Sequence, residues 1–357
     1  MKLFKFVPAF VLVGMVLMAC GGSSSSSGTA GKKIALLLPE STTARYDTKD
    51  MPYFKAKLAS LCSTCTLDYK NAKQDAPTQL TQAQAAITNG DSVIVLDPVD
   101  GAAAAAIVTA AKAANIPVIS YDRLVLNTAD LNYYLSFDNA AVGALQGNAL
   151  LTALGSKTNA SVVMINGDPA DNNAKLFKQG AHSVLDGKVS IKKEYDTPGW
   201  LAATAQTEMA GALTALNNKV DGVLAANDGT AGGAIAALKT AGVTPLPPVT
   251  GQDAELAGIQ RILIGEQYMT VYKAIKAEAE AAATLAYDLA YGVAVPATMT
   301  NGKTVNNNTA DIKSVLLTPV AVTKANIQST VVADGFWTKA DICTAAYAAA
   351  CTAAGIS

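Results

Sequence analysis

The sequence predicts an α/β protein built as two Rossmann-like lobes with parallel sheets. Three observations carry this. From Lys33 onward, short apolar runs alternate with helix-forming segments, the order that parallel sheets with helical crossovers produce. The alternation restarts after Asn139. The chain beyond the first 31 residues is long enough for two domains of ordinary size.

The run Lys33 to Leu38, closed by Pro39, reads as a buried strand. A helix is expected over 50–61, a strand over 66–70, and a helix over 76–89 that Gly90 stops. The run 93–96 is a strand ending in Asp97-Pro98. A helix over 102–114 follows, then strands over 116–120 and 133–137, which end in Tyr121-Asp122-Arg123 and Asp138-Asn139. The second series gives helices over 141–154, 173–185, 201–216, 230–241, 255–265 and 273–291. They are interleaved with strands over 162–165, 190–195, 222–225, 248–250 and 269–271.

The loop after 162–165 is the most informative. Asn166-Gly167-Asp168-Pro169-Ala170-Asp171-Asn172-Asn173 holds turn residues and more amides and carboxylates than a helix cap needs. Asp171 or Asn172 can cap the next helix. The surplus suits a ligand rich in hydroxyls, because each group can give or take hydrogen bonds. Other strand ends add Arg45 and Tyr46, Asp122 and Arg123, Asp138 and Asn139, Asn227 and Asp228, Asp253, and Lys273. In open α/β sheets ligands sit at the carboxyl ends of strands. The mixed signs fit a neutral polyol better than a phosphate or carboxylate, which would want a positive excess. Tyr46 and Trp200 offer flat faces for the C–H side of a sugar ring. The other tryptophan, Trp337, lies in the tail.

The N-terminus reads as an export signal. A basic start precedes an apolar stretch over 7–18 that is too short to span a bilayer. Leu17-Met18-Ala19-Cys20 resembles the lipobox of bacterial lipoproteins, with Met18 larger than usual there. The resemblance implies a signal peptide over 1–19, lipidation of Cys20, and a Gly/Ser tether over 20–31. The membrane is then met through the lipid anchor only, and the protein is extracytoplasmic, at the cell surface or in a periplasm. With net charge −1 and no basic block, nucleic-acid binding is not expected.

The motifs Ala44-Arg45-Tyr46, Tyr121-Asp122-Arg123, Ser136-Phe137-Asp138-Asn139, the stretch 171–177, Gly199-Trp200-Leu201, the stretch 227–234, Gly251-Gln252-Asp253-Ala254 and Thr270-Val271-Tyr272-Lys273 are collinear. They resemble the type I periplasmic sugar-binding proteins of the ribose-binding class, most closely the D-xylose-binding and multiple-monosaccharide-binding proteins. The resemblance implies a periplasmic binding protein type I fold with a three-crossing hinge near Asp138, Tyr272 and Leu317. The lobes would be 32–138 with 273–317, and 139–272 with 318–357. It implies no catalysis and no cofactor. It also implies a monosaccharide ligand, closure of the lobes over it, and docking on an ABC transporter permease. The sugar contacts carried over by motif are Arg45, Arg123, Asn173, Trp200, Asn227, Asp253 and Lys273, with Asp171 and Asp122 as neighbours in the network. Tyr46 stands where Trp is frequent in the family, and Pro39-Glu40 replaces the acidic pair of the xylose proteins. A monomer is expected.

Cys62 and Cys65 are expected to form a small disulfide at a helix-to-strand turn. Cys343 and Cys351 lie in an Ala-rich tail that reads helical. A continuous helix would separate their Cα atoms by ~12 Å, and a disulfide needs less than ~7 Å. The tail must turn, or they pair elsewhere, or they stay free. The rival functions are a carbohydrate-active enzyme, a sugar receptor for signalling, and a sugar-sensing repressor. His182 has no adjacent nucleophile motif and reads as a surface residue. The repressor needs a helix-turn-helix where the export signal stands.

Overall fold

The computed structural model describes residues 1–3 and 31–356. Most of the export signal, Cys20, and the tether through Ala30 lie outside the described residues. The strands are β1 (Lys33–Leu38), β2 (Thr66–Asn71), β3 (Val93–Leu96), β4 (Val118–Tyr121), β5 (Tyr133–Phe137), β6 (Ser161–Asn166), β7 (Ser190–Asp196), β8 (Gly222–Ala225), β9 (Met269–Tyr272), β10 (Thr304–Asn306), β11 (Asp311–Leu317) and β12 (Val320–Thr323).

Seven of them make one sheet in the order β10-β11-β5-β4-β3-β1-β2. All its pairings are parallel except the β10–β11 hairpin at the edge. β1 shows why its sequence is a continuous apolar run. Ile34, Leu36 and Leu38 pack on one side with Phe54, Leu58 and Leu285. Ala35 and Leu37 pack on the other with Ala83, Ile107 and Val108. A strand covered on both faces has no polar alternation, and each fully buried Leu or Ile stabilises the fold by about 1.5–3 kcal/mol.

The second sheet has the parallel order β7-β6-β8. The strand expected over 248–250 is reduced to one bridge, Val223 to Val249, because Pro247 and Pro248 lack the N–H groups a ladder needs. The layer still continues: Tyr268 N–H donates to Val249 O, and Val271 N–H to Gly251 O. β9 then pairs antiparallel with β12. Val163 and Ile165 face Met209, Ala234 and Leu238, and Val162 and Met164 face Leu150, Ala181 and Leu185. The chain leaves one layer for the other after β5, after β9 and after β11.

Several elements differ from expectation. The helix expected over 102–114 is Ala105–Ala113, and the one expected from residue 273 is Ile275–Tyr291. The helix expected from Asp50 opens instead with a π-turn, Tyr46–Asp50, before Met51–Leu61. Gly233 sits where helices Ala202–Ala215 and Asp228–Thr240 cross. A Cβ there would stand 2.1 Å from Ala202 O, so close packing, not nucleotide binding, accounts for this glycine.

Cys62 is bridged to Cys65 between a helix and β2. The tail does turn: short helices Lys339–Ile342 and Ala348–Ala353 bring the Cα atoms of Cys343 and Cys351 to 5.8 Å, and they too are bridged. His182 is partly exposed on helix Asn172–Leu185, with Nδ1 2.8 Å from Asp186 and Nε2 3.1 Å from Glu194.

Candidate functional site

The carboxyl ends of both sheets meet at one pocket. The first sheet contributes Thr43, Arg45 and Tyr46 after β1, and Asp122 and Arg123 after β4. The second contributes Asp171 and Asn173 after β6, Trp200 after β7, Asn227 after β8, Gln252 and Asp253 after the Val249 bridge, and Lys273 after β9. Arg45, Tyr46, Asp122, Arg123, Asp171, Asn173, Trp200, Asn227, Asp253 and Lys273 all line this space and are buried, whereas Asn139 and Asp228 are buried outside its lining and Asp138 is exposed.

Arg45 is clamped by three carboxyl groups. Its Nε and Nη2 donate to the two oxygens of Asp50 at 3.0 and 2.7 Å. Nη2 also donates to Glu278 at 2.8 Å, and Nη1 to Asp122 at 3.4 Å. Tyr121 donates its hydroxyl to Asp50, so Asp50 is itself held. Arg123 lies 3.0 Å from Asp171 and 3.7 Å from both Asp97 and Glu40. Lys273 Nζ stands 3.2 Å from Asp253 and 3.7 Å from Asp122. Three cations therefore face seven carboxyl groups.

Burial decides how those carboxyls ionise. It pushes Asp97 and Glu278 well above the usual range, with Asp122 adding to both shifts. It also raises Asp171, against the opposing pull of Arg123. Asp122 goes the other way: burial alone would raise it, but Arg45, Lys273 and Arg123 together hold it below the usual carboxylate range. Burial raises the Tyr46 phenol, so it remains a donor and reaches Asp122 Oδ2 at 3.1 Å. Its ring lies between the guanidinium groups of Arg45 and Arg123, at 5.2 and 5.7 Å.

The second sheet's groups are fixed by local structure. Asp171 caps helix Asn172–Leu185, its carboxylate accepting from Asn173 N–H at 2.8 Å. The Asn173 amide then bridges the sheets by donating to Asp122 O at 3.0 Å, and its Oδ1 accepts from Asn139 at 2.8 Å. Asn227 caps helix Asp228–Thr240 in a capping box, its Oδ1 accepting from Thr230 N–H at 2.8 Å, and it lines the pocket. Asp253 and Ala254 both adopt left-handed backbone, with φ 86° and 48°. Such conformations cost energy outside glycine and persist where surroundings over-determine them. Here Thr270 accepts from Ala254 N–H, and Asp228 accepts from Glu255 N–H.

Trp200 ends the turn Pro198–Trp200 with φ 57°. Its ring packs directly over Gly167, where a Cβ would fall 1.9 Å from the indole Cη2, and edge-on to Phe177 at 6.4 Å. It belongs to a cluster with Val142, Ala174 and Met269 and also lines the cavity. Trp200 is thus packed among core residues and also faces the pocket. Trp200 Nε1 and Gln252 Oε1 are buried without a hydrogen-bond partner in the protein. Unpaired buried polar atoms are costly, and a ligand bearing hydroxyls would satisfy them.

Sequence reasoning missed Thr43, Phe177 and Gln252 as lining residues, and Asp50 and Glu278 as the clamp on Arg45. Phe177 and Gln252 sit inside the recognised motifs, so their spacing was a signal. Glu278 left none: it is 233 residues from Arg45 in sequence. Among the described residues no group of three or more His, Cys, Asp or Glu side chains is placed to hold a metal ion. No described helix is long and apolar enough to cross a membrane.

Residues 34–293 match the model of the periplasmic binding protein domain. The chain is 39% identical over 315 residues to the D-xylose-binding periplasmic protein of Escherichia coli, covering 87% of this chain and 92% of that protein. It is 33% identical to a multiple sugar-binding periplasmic receptor of Rhizobium radiobacter, over 96% of this chain and 99% of the receptor. Among solved structures, an ABC transporter solute-binding protein from Clostridium phytofermentans with bound β-D-glucose superposes with a TM-score of 0.81 at 29% identity. It covers 87% of this chain and all of that one. A carbohydrate transporter solute-binding protein from Chloroflexus aurantiacus, in complex with D-glucose, gives 0.80 at 30% identity, over 87% of this chain and 98% of that one. With this fold, this convergence of strand ends and these relatives, the chain belongs to the periplasmic binding protein family, whose members are binding proteins and not enzymes.

Proposed function

We propose that the protein is an extracytoplasmic solute-binding lipoprotein that captures a neutral monosaccharide, D-xylose or a related aldopyranose such as D-glucose, and delivers it to an ABC permease. The observation that carries this reading is the charge balance of the cavity. Each cation is already paired, and seven carboxyl groups oppose three cations. An anionic ligand would have to break those pairs, whereas a polyol only adds hydrogen bonds to them. The names and bound ligands of the similar proteins, D-xylose, multiple sugars and D-glucose, support the same class.

In this reading Arg45, Arg123 and Lys273 donate to ring hydroxyls. Asp171 and Asp253 accept from them, and the amides of Asn173 and Asn227 do both. Tyr46 and Trp200 supply the flat walls. D-Xylose and D-glucose share their equatorial hydroxyls at C2 to C4, so one set of donors and acceptors serves either. The lobes 32–138 with 273–317 and 139–272 with 318–357 move about the three crossings. The sugar contacts both lobes, so it binds the closed form better and shifts the population toward it. That form presents the permease with its docking surface, while Cys20 holds the monomer at the membrane.

A thermal-shift panel followed by calorimetry tests this. A ligand that binds only the folded state raises the melting temperature. D-Xylose or D-glucose should do so, and sugar phosphates and sugar acids should not. A response confined to the anionic sugars would overturn the reading.

A further inference from the structure

The tail beyond β12 lies outside residues 34–293, which match the family model, yet it reaches the cavity. Trp337 Nε1 donates to Ala254 O at 2.8 Å. Ala254 follows Asp253 in the left-handed turn that aims the Asp253 carboxylate inward. The neighbouring Phe336 packs edge-on to Tyr272 at 5.1 Å, and Tyr272 donates its hydroxyl to Asp334. This segment is thus anchored to the β9 side of the cavity.

From the opposite side comes Lys49, four residues after Arg45. Its ammonium donates to Phe336 O at 2.6 Å and lies 4.0 Å from the Trp337 ring centroid and 4.9 Å from that of Phe336. A second space lies there, lined by Lys49, Leu256, Phe336 and Trp337, and it shares Arg45 and Asp253 with the first. Lys49 and the tail therefore meet beside the binding pocket, next to the crossing at Tyr272.

We propose that Lys49 and the segment from Asp334 to Trp337 form a latch that holds the closed cavity shut, and that Trp337 positions Asp253. The proposal rests on the monosaccharide reading above. The Lys49 contacts join a segment after β1 to the tail after β12, so on this proposal they stabilise the closed form and slow release. Trp337 acts on the acceptor geometry of Asp253 through the backbone.

The test is stopped-flow binding of D-xylose and D-glucose to the full chain and its variants. Lys49→Ala should raise the dissociation rate roughly tenfold, the scale of one cation–π contact plus one hydrogen bond, and leave the association rate unchanged. Lys49→Arg, which keeps a donor and a cation over the ring, should retain slow release. Trp337→Phe keeps an aromatic face and loses the N–H. It should weaken binding severalfold in the wild-type background and have no further effect in an Asp253→Ala background. Wild-type dissociation rates in both Lys49→Ala and Trp337→Phe would overturn the latch while leaving the sugar reading intact. Wild-type protein that binds neither sugar would overturn both.

Discussion

Gly167→Ala should damage sugar binding without adding or removing any group that a sugar touches. The added Cβ would stand 1.9 Å from Trp200 Cη2, 2.2 Å from Cζ2 and 2.4 Å from Cζ3, where ordinary contact begins near 3.4 Å. The ring must therefore move by at least 3.4 − 1.9 = 1.5 Å. Val142, Ala174, Phe177 and Met269 fill the space around it, so the open direction is the pocket that Trp200 lines. Overpacking of this kind costs about 1–3 kcal/mol. If the indole relieves it by entering the cavity, the cost appears as lost affinity, roughly five- to hundredfold, with a small change in the sugar-free melting temperature. Calorimetry with D-xylose and D-glucose and a sugar-free melting curve read the two effects separately. Trp200→Ala should also weaken binding, and Gly167→Ala added to it should cost nothing more, because the ring it strikes is gone. A Gly167→Ala protein that melts lower but binds either sugar like the wild type would refute the assignment of Trp200 as a wall of the site.

Asp253→Ala removes a buried acceptor whose Oδ1 faces Lys273. It should cost ~1.5–3 kcal/mol of binding, a ten- to hundredfold rise in Kd by calorimetry, and near-native affinity with the fold intact would remove it from the site. Burial raises the carboxyls of Asp228 and Glu255 to about 7 and about 8. The folded chain then holds protons that the unfolded chain releases above its ordinary carboxylate range, so this contribution to stability is lost as pH rises from about 4 through 7 to 8. Glu255→Gln should flatten that fall in denaturant titrations across the window, and an unchanged slope would reassign it. Cys20→Ser should release the protein from the membrane fraction, and unchanged sedimentation with membranes would count against lipidation.

Much of the fold was legible because its signals are local. β1, β3 and β8 are short apolar runs bounded by turn residues, and burial on both faces makes them so. The site was legible for a related reason: when strands are parallel and ligands bind at their carboxyl ends, the residue after each strand is a candidate. What escaped were features set by contacts distant in sequence. Nothing in the stretch 304–323 marks β10 to β12 as strongly as pairing with β5 and β9 does. The tail's turn between Cys343 and Cys351 is hidden in an Ala-rich stretch whose local preference is helical. Nothing local links Trp337 to the site, because the tail's return to Ala254 is a tertiary fact.

The clamp on Arg45 shows why such distant contacts matter to function. A lone buried guanidinium would be costly to keep, and Asp50, Asp122 and Glu278 make it tolerable. The same three partners fix the direction of its donors before any ligand arrives. A sugar hydroxyl that meets a donor already oriented does not lose binding energy to ordering that side chain. The clamp also neutralises the cation, so the site gains nothing by admitting an anion. Orientation and selectivity for a neutral ligand thus come from one arrangement. Of its three carboxylates, one lies five residues from Arg45 in sequence and the other two lie 77 and 233 residues away. The local motif supplies the arginine, and only the assembled fold supplies the partners that orient its donors and balance its charge.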